Sequence, residues 1–248
     1  MSKREAPPAC RPFQKVLIAN RGEIAVRVIQ ACQELDLATV AVFSEADREA
    51  LHVKLADEAY EIGPAPSAQS YLDVSRILEA AQKAGARAVH PGYGFLAENP
   101  SFARACRDTG LIFVGPTPEA MEAVGAKIAA RALAERLGIP VVPGETAALE
   151  RVEQAAAVAE RIGYPVAIKA SAGGGGRGLK VVAGREDLPA ALESARREGA
   201  AYFADPTVYM ERYLAAPRHI EVQVAGDSHG TVIAVGTRDC STQRHHQN

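Results

Sequence analysis

From Phe13 onward, short apolar runs alternate with longer stretches of helical periodicity. Val16-Leu17-Ile18-Ala19 is a strand-type run. Residues 20–23 turn the chain, and Ile24, Val26, Val28, Ile29, Cys32 and Leu35 follow at mostly helical spacing. Thr39-Val40-Ala41-Val42-Phe43 is β-branched and apolar, a second strand. Ser70 is placed to cap a helix whose apolar face holds Val74, Ile77, Leu78 and Ala81, with Gly85 ending it. Residues 86–90 read as a third strand, broken by Pro91-Gly92-Tyr93-Gly94. Asn99-Pro100 has the form of an N-cap with proline at the first helical position. Residues 111–114 are a further strand, and Thr117-Pro118-Glu119 opens another helix. Strands alternating with helices predict an α/β domain with a mainly parallel sheet covered on both faces. In such sheets ligands sit beyond the C-terminal strand ends, where residues 20–23 and 91–99 fall.

After about residue 126 the pattern changes. An Ala-rich helical stretch runs to Leu137, with Gly138 past its end. Residues 139–142 and 166–168 are short apolar runs, with a second Ala-rich helix, residues 152–162, between them. Residues 1–12 read as a loose, proline-containing arm, and no internal repeat is visible.

Composition narrows the function. The chain has 248 residues, 48% hydrophobic and 23% charged, which is globular. No apolar run approaches the roughly 18 residues of a membrane helix. Twenty-eight basic residues against thirty acidic give −2, so no bulk charge draws the chain to nucleic acid or lipid. Six Phe, seven Tyr and no Trp argue against a base-stacking platform. Near the N-terminus, Glu5, Pro7 and Pro8 stand where a signal peptide needs an apolar stretch. Cys10, Cys32, Cys106 and Cys240 are widely spaced, which excludes a C-x-x-C zinc ribbon or redox pair and predicts reduced thiols in a cytoplasmic chain.

The chemistry concentrates in one segment, Val166-Ala167-Ile168-Lys169-Ala170-Ser171-Ala172-Gly173-Gly174-Gly175-Gly176-Arg177-Gly178-Leu179-Lys180-Val181-Val182. A phosphate-binding Walker loop would end in G-K-[ST] and launch a helix. Here Leu179-Lys180 and β-branched residues follow, so the glycines join a hairpin. Successive glycines let backbone N–H groups converge on an anion, and Lys169, Arg177 and Lys180 add positive charge. Lys169 ends an apolar strand, where an unpaired ammonium is costly and an anion partner explains it. The first βα turn holds only Gly22, which disfavours a G-x-G-x-x-G dinucleotide site.

Several separate motifs resemble those of biotin carboxylases, members of the ATP-grasp superfamily. They are Ile18-Ala19-Asn20-Arg21-Gly22-Glu23-Ile24-Ala25, His90-Pro91-Gly92-Tyr93-Gly94-Phe95-Leu96-Ala97-Glu98-Asn99, Lys169-Ala170-Ser171-Ala172 with its glycines, Tyr209-Met210-Glu211-Arg212-Tyr213-Leu214, Pro217-Arg218-His219-Ile220-Glu221 and Arg238-Asp239-Cys240-Ser241. The resemblance covers about residues 13–248. Beyond the flexible arm read at 1–12, it implies a Rossmann-like pre-ATP-grasp domain (13–125) and an α+β ATP-grasp domain (126–248) that is incomplete at its C-terminus. It implies an ATP-dependent ligase that activates bicarbonate as carboxyphosphate and carboxylates biotin on a carrier protein, within an acetyl-CoA, other acyl-CoA or pyruvate carboxylase. Implied partners are the biotin carboxyl carrier, a carboxyltransferase subunit or domain, and a second copy in a homodimer.

The resemblance further implies that Lys127 and Lys169 contact the ATP phosphates, with Gly175 and Gly176 over them. Glu211, Arg212, Tyr213 and Leu214 match the segment that holds adenine, and His219, Gln243 and His246 match further nucleotide contacts. The Mg²⁺-binding glutamates, catalytic arginine and bicarbonate base are expected beyond residue 248, so no catalytic or metal-ligating residue is assigned within the chain. Asn248 stands where the family has lysine, Thr237 where it has glutamate and His245 where it has arginine. Little or no carboxylase activity is expected of the 248 residues alone. The alternatives are a catalytically inactive ATP-binding fragment or interaction module of the same fold, and another ATP-grasp ligase making an acyl phosphate. Residues 20–25 and 90–99 argue against the last.

Overall fold

The computed structural model describes residues 12–125, 127–145, 147–171, 179–203 and 205–241. The chain divides into two compact units, the first ending at Glu122 and the second beginning at Ala123.

The first unit is built on β1 (Lys15–Ile18), β2 (Ala38–Ser44), β3 (Glu58–Gly63), β4 (Ala88–His90) and β5 (Ile112–Phe113). They form one parallel sheet in the order β3-β2-β1-β4-β5. Alternation along the strands sends side chains to two buried faces, as a parallel sheet requires. Val16, Ile18 and Ala88 pack with Ala25, Val28, Ile29 and Cys32 of α1 (Gly22–Glu34). On the other face Leu17, Val40, Val42 and Val89 meet α3 (Val74–Ala84) through Ile77 and Ala81, and α4 (Pro100–Asp108) through Phe102 and Cys106. A short helix, α2 (Leu51–Leu55), follows β2, and α5 (Pro118–Gly125) spans the residues where one unit gives way to the next.

Two caps agree with the sequence. Asn99 accepts from the Phe102 N–H at 3.0 Å with Pro100 at the first position of α4, and Gly85 takes the left-handed conformation after α3. One does not. The cap of α3 is Asp73, which accepts from the Arg76 N–H at 3.1 Å. The Ser70 hydroxyl is already engaged, donating to the Pro66 carbonyl in the preceding turn.

Between β1 and β4 the strand order reverses direction, the place where such sheets open a ligand crevice. Here Asn20 bonds the two loops to each other across it. Asn20 is 3% exposed, and its amide donates to the carbonyls of Pro91 and Tyr93, both at 2.7 Å. Gly92 has φ +66°, and a Cβ there would stand 2.8 Å from Asn20 Nδ2, so the turn closes directly on the amide.

The second unit has an antiparallel sheet, β7-β6-β8, made of β6 (Val166–Ala170), β7 (Lys180–Val182) and β8 (Val208–Arg212). The glycine segment thus connects antiparallel neighbours, as the flanking β-type runs predict. Helices α7 (Val152–Ile162) and α8 (Leu188–Phe203) cover one face, burying Val166, Ile168, Val182, Val208 and Met210 against Ala155, Ala159, Leu188, Leu192 and Ala195. Helix α6 (Lys127–Arg136) precedes the sheet, with Gly138 just past its end at φ +70°. Residues 139–142 form no strand, because Pro140 and Pro143 cannot donate to a ladder; a single bridge joins Gly144 to Glu211.

β9 (Ile220–Gly226) and β10 (Val232–Asp239) pair antiparallel with each other and, among the described residues, with no other strand. Ile220, Val222, Val224, Val232, Ile233 and Val235 are all exposed.

Asn20→Ala strips hydrogen bonds from two carbonyls in the crevice, one of them buried. A loss of about 2 kcal/mol of stability is expected in urea denaturation; a loss under about 0.5 kcal/mol would mean that water replaces the amide without cost.

Candidate functional site

Strand periodicity creates the site. On β6, Val166, Ile168 and Ala170 face the core, so Ala167 and Lys169 face the opposite side. On β8, Val208 and Met210 face the core, so Tyr209 and Glu211 share the side of Lys169. The register sets Lys169 beside Tyr209 and Ala167 beside Glu211, making Lys169 and Glu211 diagonal neighbours within reach of a long side chain. Lys169 Nζ donates to Glu211 Oε1. The anion partner expected for a lysine on an apolar strand is, in this structure, a carboxylate of the protein itself. Nor is Glu211 a surface residue: its side chain is 15% exposed.

Three features surround this pair. Tyr209 is buried, and desolvation, with the Glu211 charge adding to it, pushes its phenol up to about 12, so it stays neutral. Lys127, the first residue of α6, is partly buried. Desolvation first and then the Lys169 charge lower its pKa from the ordinary lysine value, while Glu211 opposes the shift. Arg131, one turn further along the same helix face, has a side chain only 8% exposed. Its guanidinium reaches the Val142 carbonyl, Glu135 Oε1 at 3.3 Å and Glu211 Oε2 at 3.9 Å. Residues 143–145 are laid along β8 by bonds from the Arg212 N–H to the Pro143 carbonyl (2.7 Å) and from the Glu145 N–H to the Met210 carbonyl (2.8 Å). Gly144 is required there, because a Cβ would meet the Met210 carbonyl at 2.6 Å.

A cleft of ≈ 450 Å³ opens beside the pair, lined by Val142, Lys169, Leu179 and the consecutive residues Glu211, Arg212, Tyr213 and Leu214. The structure therefore brings together Lys169 and all four residues expected to hold a base, with Lys127 electrostatically coupled to them. Lys180 departs from expectation: its ammonium pairs with Glu198 of α8, so it is not a free charge at the glycine segment. His219 lies just before β9, its N–H donating to Ser241 Oγ at 2.8 Å and its carbonyl accepting from the Cys240 N–H at 2.8 Å. Gly175, Gly176, Gln243 and His246 lie outside the described residues. Sequence reasoning did not single out Arg131, although its position four residues after Lys127 on a helix was a usable signal.

Matches to known proteins fit this geometry. Residues 126–248 match the family model described as carbamoyl-phosphate synthase L chain, ATP binding domain, and residues 12–121 match biotin carboxylase, N-terminal domain. The class is thus an ATP-grasp fold preceded by its α/β partner domain. The chain is 53% identical over 235 residues to the biotin carboxylase of Halalkalibacterium halodurans, covering 95% of this chain and 52% of that protein. It is 52% identical over 236 residues to the biotin carboxylase of Pseudomonas aeruginosa, covering 95% and 53%. A crystal structure of a Campylobacter jejuni biotin carboxylase–β,γ-ATP complex superposes with a TM-score of 0.90 at 49% identity, covering 95% of this chain and 53% of that one. The biotin carboxylase domain dimer of Hydrogenobacter thermophilus 2-oxoglutarate carboxylase, in complex with MgADP, ADP and bicarbonate, gives 0.88 at 49% identity, covering 95% and 52%. The chain belongs to the biotin carboxylase family and spans about half the length of the curated relatives it matches.

Desolvation of Lys127 has a measurable sign. Its pKa is lower in the fold than in the unfolded chain, so at neutral pH the native state carries the full cost of a partly buried ammonium. That cost disappears as pH rises through the window just below the ordinary lysine value. Lys127→Met is expected to raise the thermal midpoint of the ligand-free chain at pH 7, with the gain shrinking toward pH 10. A midpoint that falls at pH 7 contradicts this.

Proposed function

We propose that this chain binds ATP in the cleft of its second unit, as the nucleotide-binding portion of an enzyme that carboxylates biotin at the expense of ATP. The observation carrying this reading is the pairing of two lysines, one desolvated on α6 and one on β6, with a cleft walled by residues 211–214. Lys127 and Lys169 take the phosphates, with the glycines at 175 and 176 closing over them. Residues 211–214 hold the adenine, partly through the backbone. His219, Gln243 and His246 complete the contacts.

Charge supports the assignment. Transfer of the γ-phosphoryl group to bicarbonate, giving carboxyphosphate, spreads negative charge over oxygens that must meet preorganised cations and N–H donors. Lysine suits this as a point charge on a flexible stem. Mg²⁺ supplies further neutralisation when bound. Among the described residues, no group of three His, Cys, Asp or Glu side chains stands together to hold it, and its carboxylate ligands belong to the remainder of the enzyme. Biotin arrives on a carrier protein or domain, and a carboxyltransferase passes the carboxyl group to an acyl-CoA or a keto acid such as pyruvate. A homodimer in the cytoplasm fits the same reading; no helix among the described residues is long and apolar enough to cross a membrane.

Lys169→Ala is expected to weaken ATP binding by about 1.5–3 kcal/mol, the range of a charge-assisted hydrogen bond, in isothermal titration calorimetry. Wild-type affinity in the variant would remove the phosphates from this cleft.

A further inference from the structure

We propose that Arg131 is a positioning residue that makes Lys169 available to the nucleotide by sharing Glu211 with it. The inference rests on the reading of the cleft as an ATP site. The two oxygens of Glu211 face two cations from different elements, Oε1 toward Lys169 on β6 and Oε2 toward Arg131 on α6. The cations are held differently. Arg131 is tethered by the Val142 carbonyl and by Glu135, and its side chain is 8% exposed. Lys169 is 31% exposed and lines the cleft. An anion entering the cleft therefore draws away Lys169 and leaves Arg131 in place.

That exchange has a cost that Arg131 relieves by direct contact, while Lys127 acts on Glu211 only through its more distant charge. Glu211 is 15% exposed, and a carboxylate so placed is expensive to leave without a counter-charge. The Arg131–Glu211 separation of 3.9 Å is an electrostatic contact beyond hydrogen-bond range, with room to tighten when Lys169 leaves. A fixed guanidinium thus keeps Glu211 compensated in both states, and the lysine moves between carboxylate and phosphate. Without Arg131, Glu211 loses its fixed counter-charge and the exchange becomes less favourable.

The test uses the full chain carrying R131M or R131K, with ATP and adenosine titrated by calorimetry. R131M is expected to lose about tenfold in ATP affinity, with adenosine affinity unchanged and R131K within about threefold of wild type for ATP. Equal losses for ATP and adenosine would reduce Arg131 to a brace of the fold. Unchanged ATP binding in R131M, or a tenfold loss in R131K, overturns the proposal as well. R131K alone decides if R131M does not fold. A wild-type chain that binds no ATP defeats the nucleotide reading separately. The pairing is then read without nucleotide, from amine acylation of Lys169 relative to Lys180. R131M should acylate Lys169 at least about threefold more slowly than wild type, because its ammonium is then held by Glu211 alone. Equal rates would refute the sharing of Glu211.

Discussion

The antiparallel pairing of β6 with β8 is the constraint on which the second unit depends. It fixes which residues lie against α7 and α8 and which look the other way, so a single register sets both the apolar cluster and the charged face. A slip of one residue would carry Lys169 and Glu211 into the core and expel Ile168 and Met210. The division of labour follows from magnitudes. Burial of Val166, Ile168, Val208, Met210 and the helix residues above them stabilises the unit by roughly 1.5–3 kcal/mol for each large side chain. The Lys169–Glu211 pair contributes far less net, because desolvation offsets most of the attraction. The charges are there for what they do, and the apolar face holds them in position.

The first unit treats its potential ligand site in the opposite way. Its parallel sheet has the strand reversal at which α/β folds commonly admit a cofactor, and there Asn20 fastens two loops together. The same loops set Arg21 against Asp47 and over the Tyr71 ring, and bond Tyr93 to Glu23. The Asp47 carboxyl lies below its ordinary value although burial, the largest effect, pushes it upward; bonds from Tyr71 and Ser44 and the Arg21 charge together outweigh that penalty. This end of the sheet is therefore a braced surface. The absence of the three-glycine fingerprint and the presence of Asn20 at the turn express one structural fact.

Much of this was legible in the chain. Apolar runs located β1, β2, β4 and β6, glycines marked the ends of α3 and α6, and Asn99-Pro100 marked the start of α4. Other elements escaped for identifiable reasons. β3 is a charged sheet edge whose burial is weak along most of its length, and residues 139–142 imitated a strand because local apolarity carries no information about a missing donor at Pro140. Helix α8 had a usable signal at Leu188, Leu192 and Ala195, diluted by the small and charged residues between them. In the site, the lysine on an apolar strand was readable, but its partner was not. Glu211 lies 42 residues away, and only the pairing of β6 with β8 brings it there.

That partner changes what a half-buried lysine on an apolar strand can be taken to mean. A cation on a sheet needs an anion, and here the protein supplies one, so burial alone does not point to a phosphate. The number of cations around that carboxylate is the further observation. Lys127, Arg131 and Lys169 gather round Glu211, and Lys127 bears a depressed pKa that the Glu211 charge only partly offsets. Of the three, Lys169 lines the cleft, whereas Arg131 is held by the Val142 carbonyl, Glu135 and Glu211. The less exposed of the two side chains facing Glu211 is a planar guanidinium and the more exposed one an ammonium on a flexible stem, the difference in chemistry on which their different constraint rests.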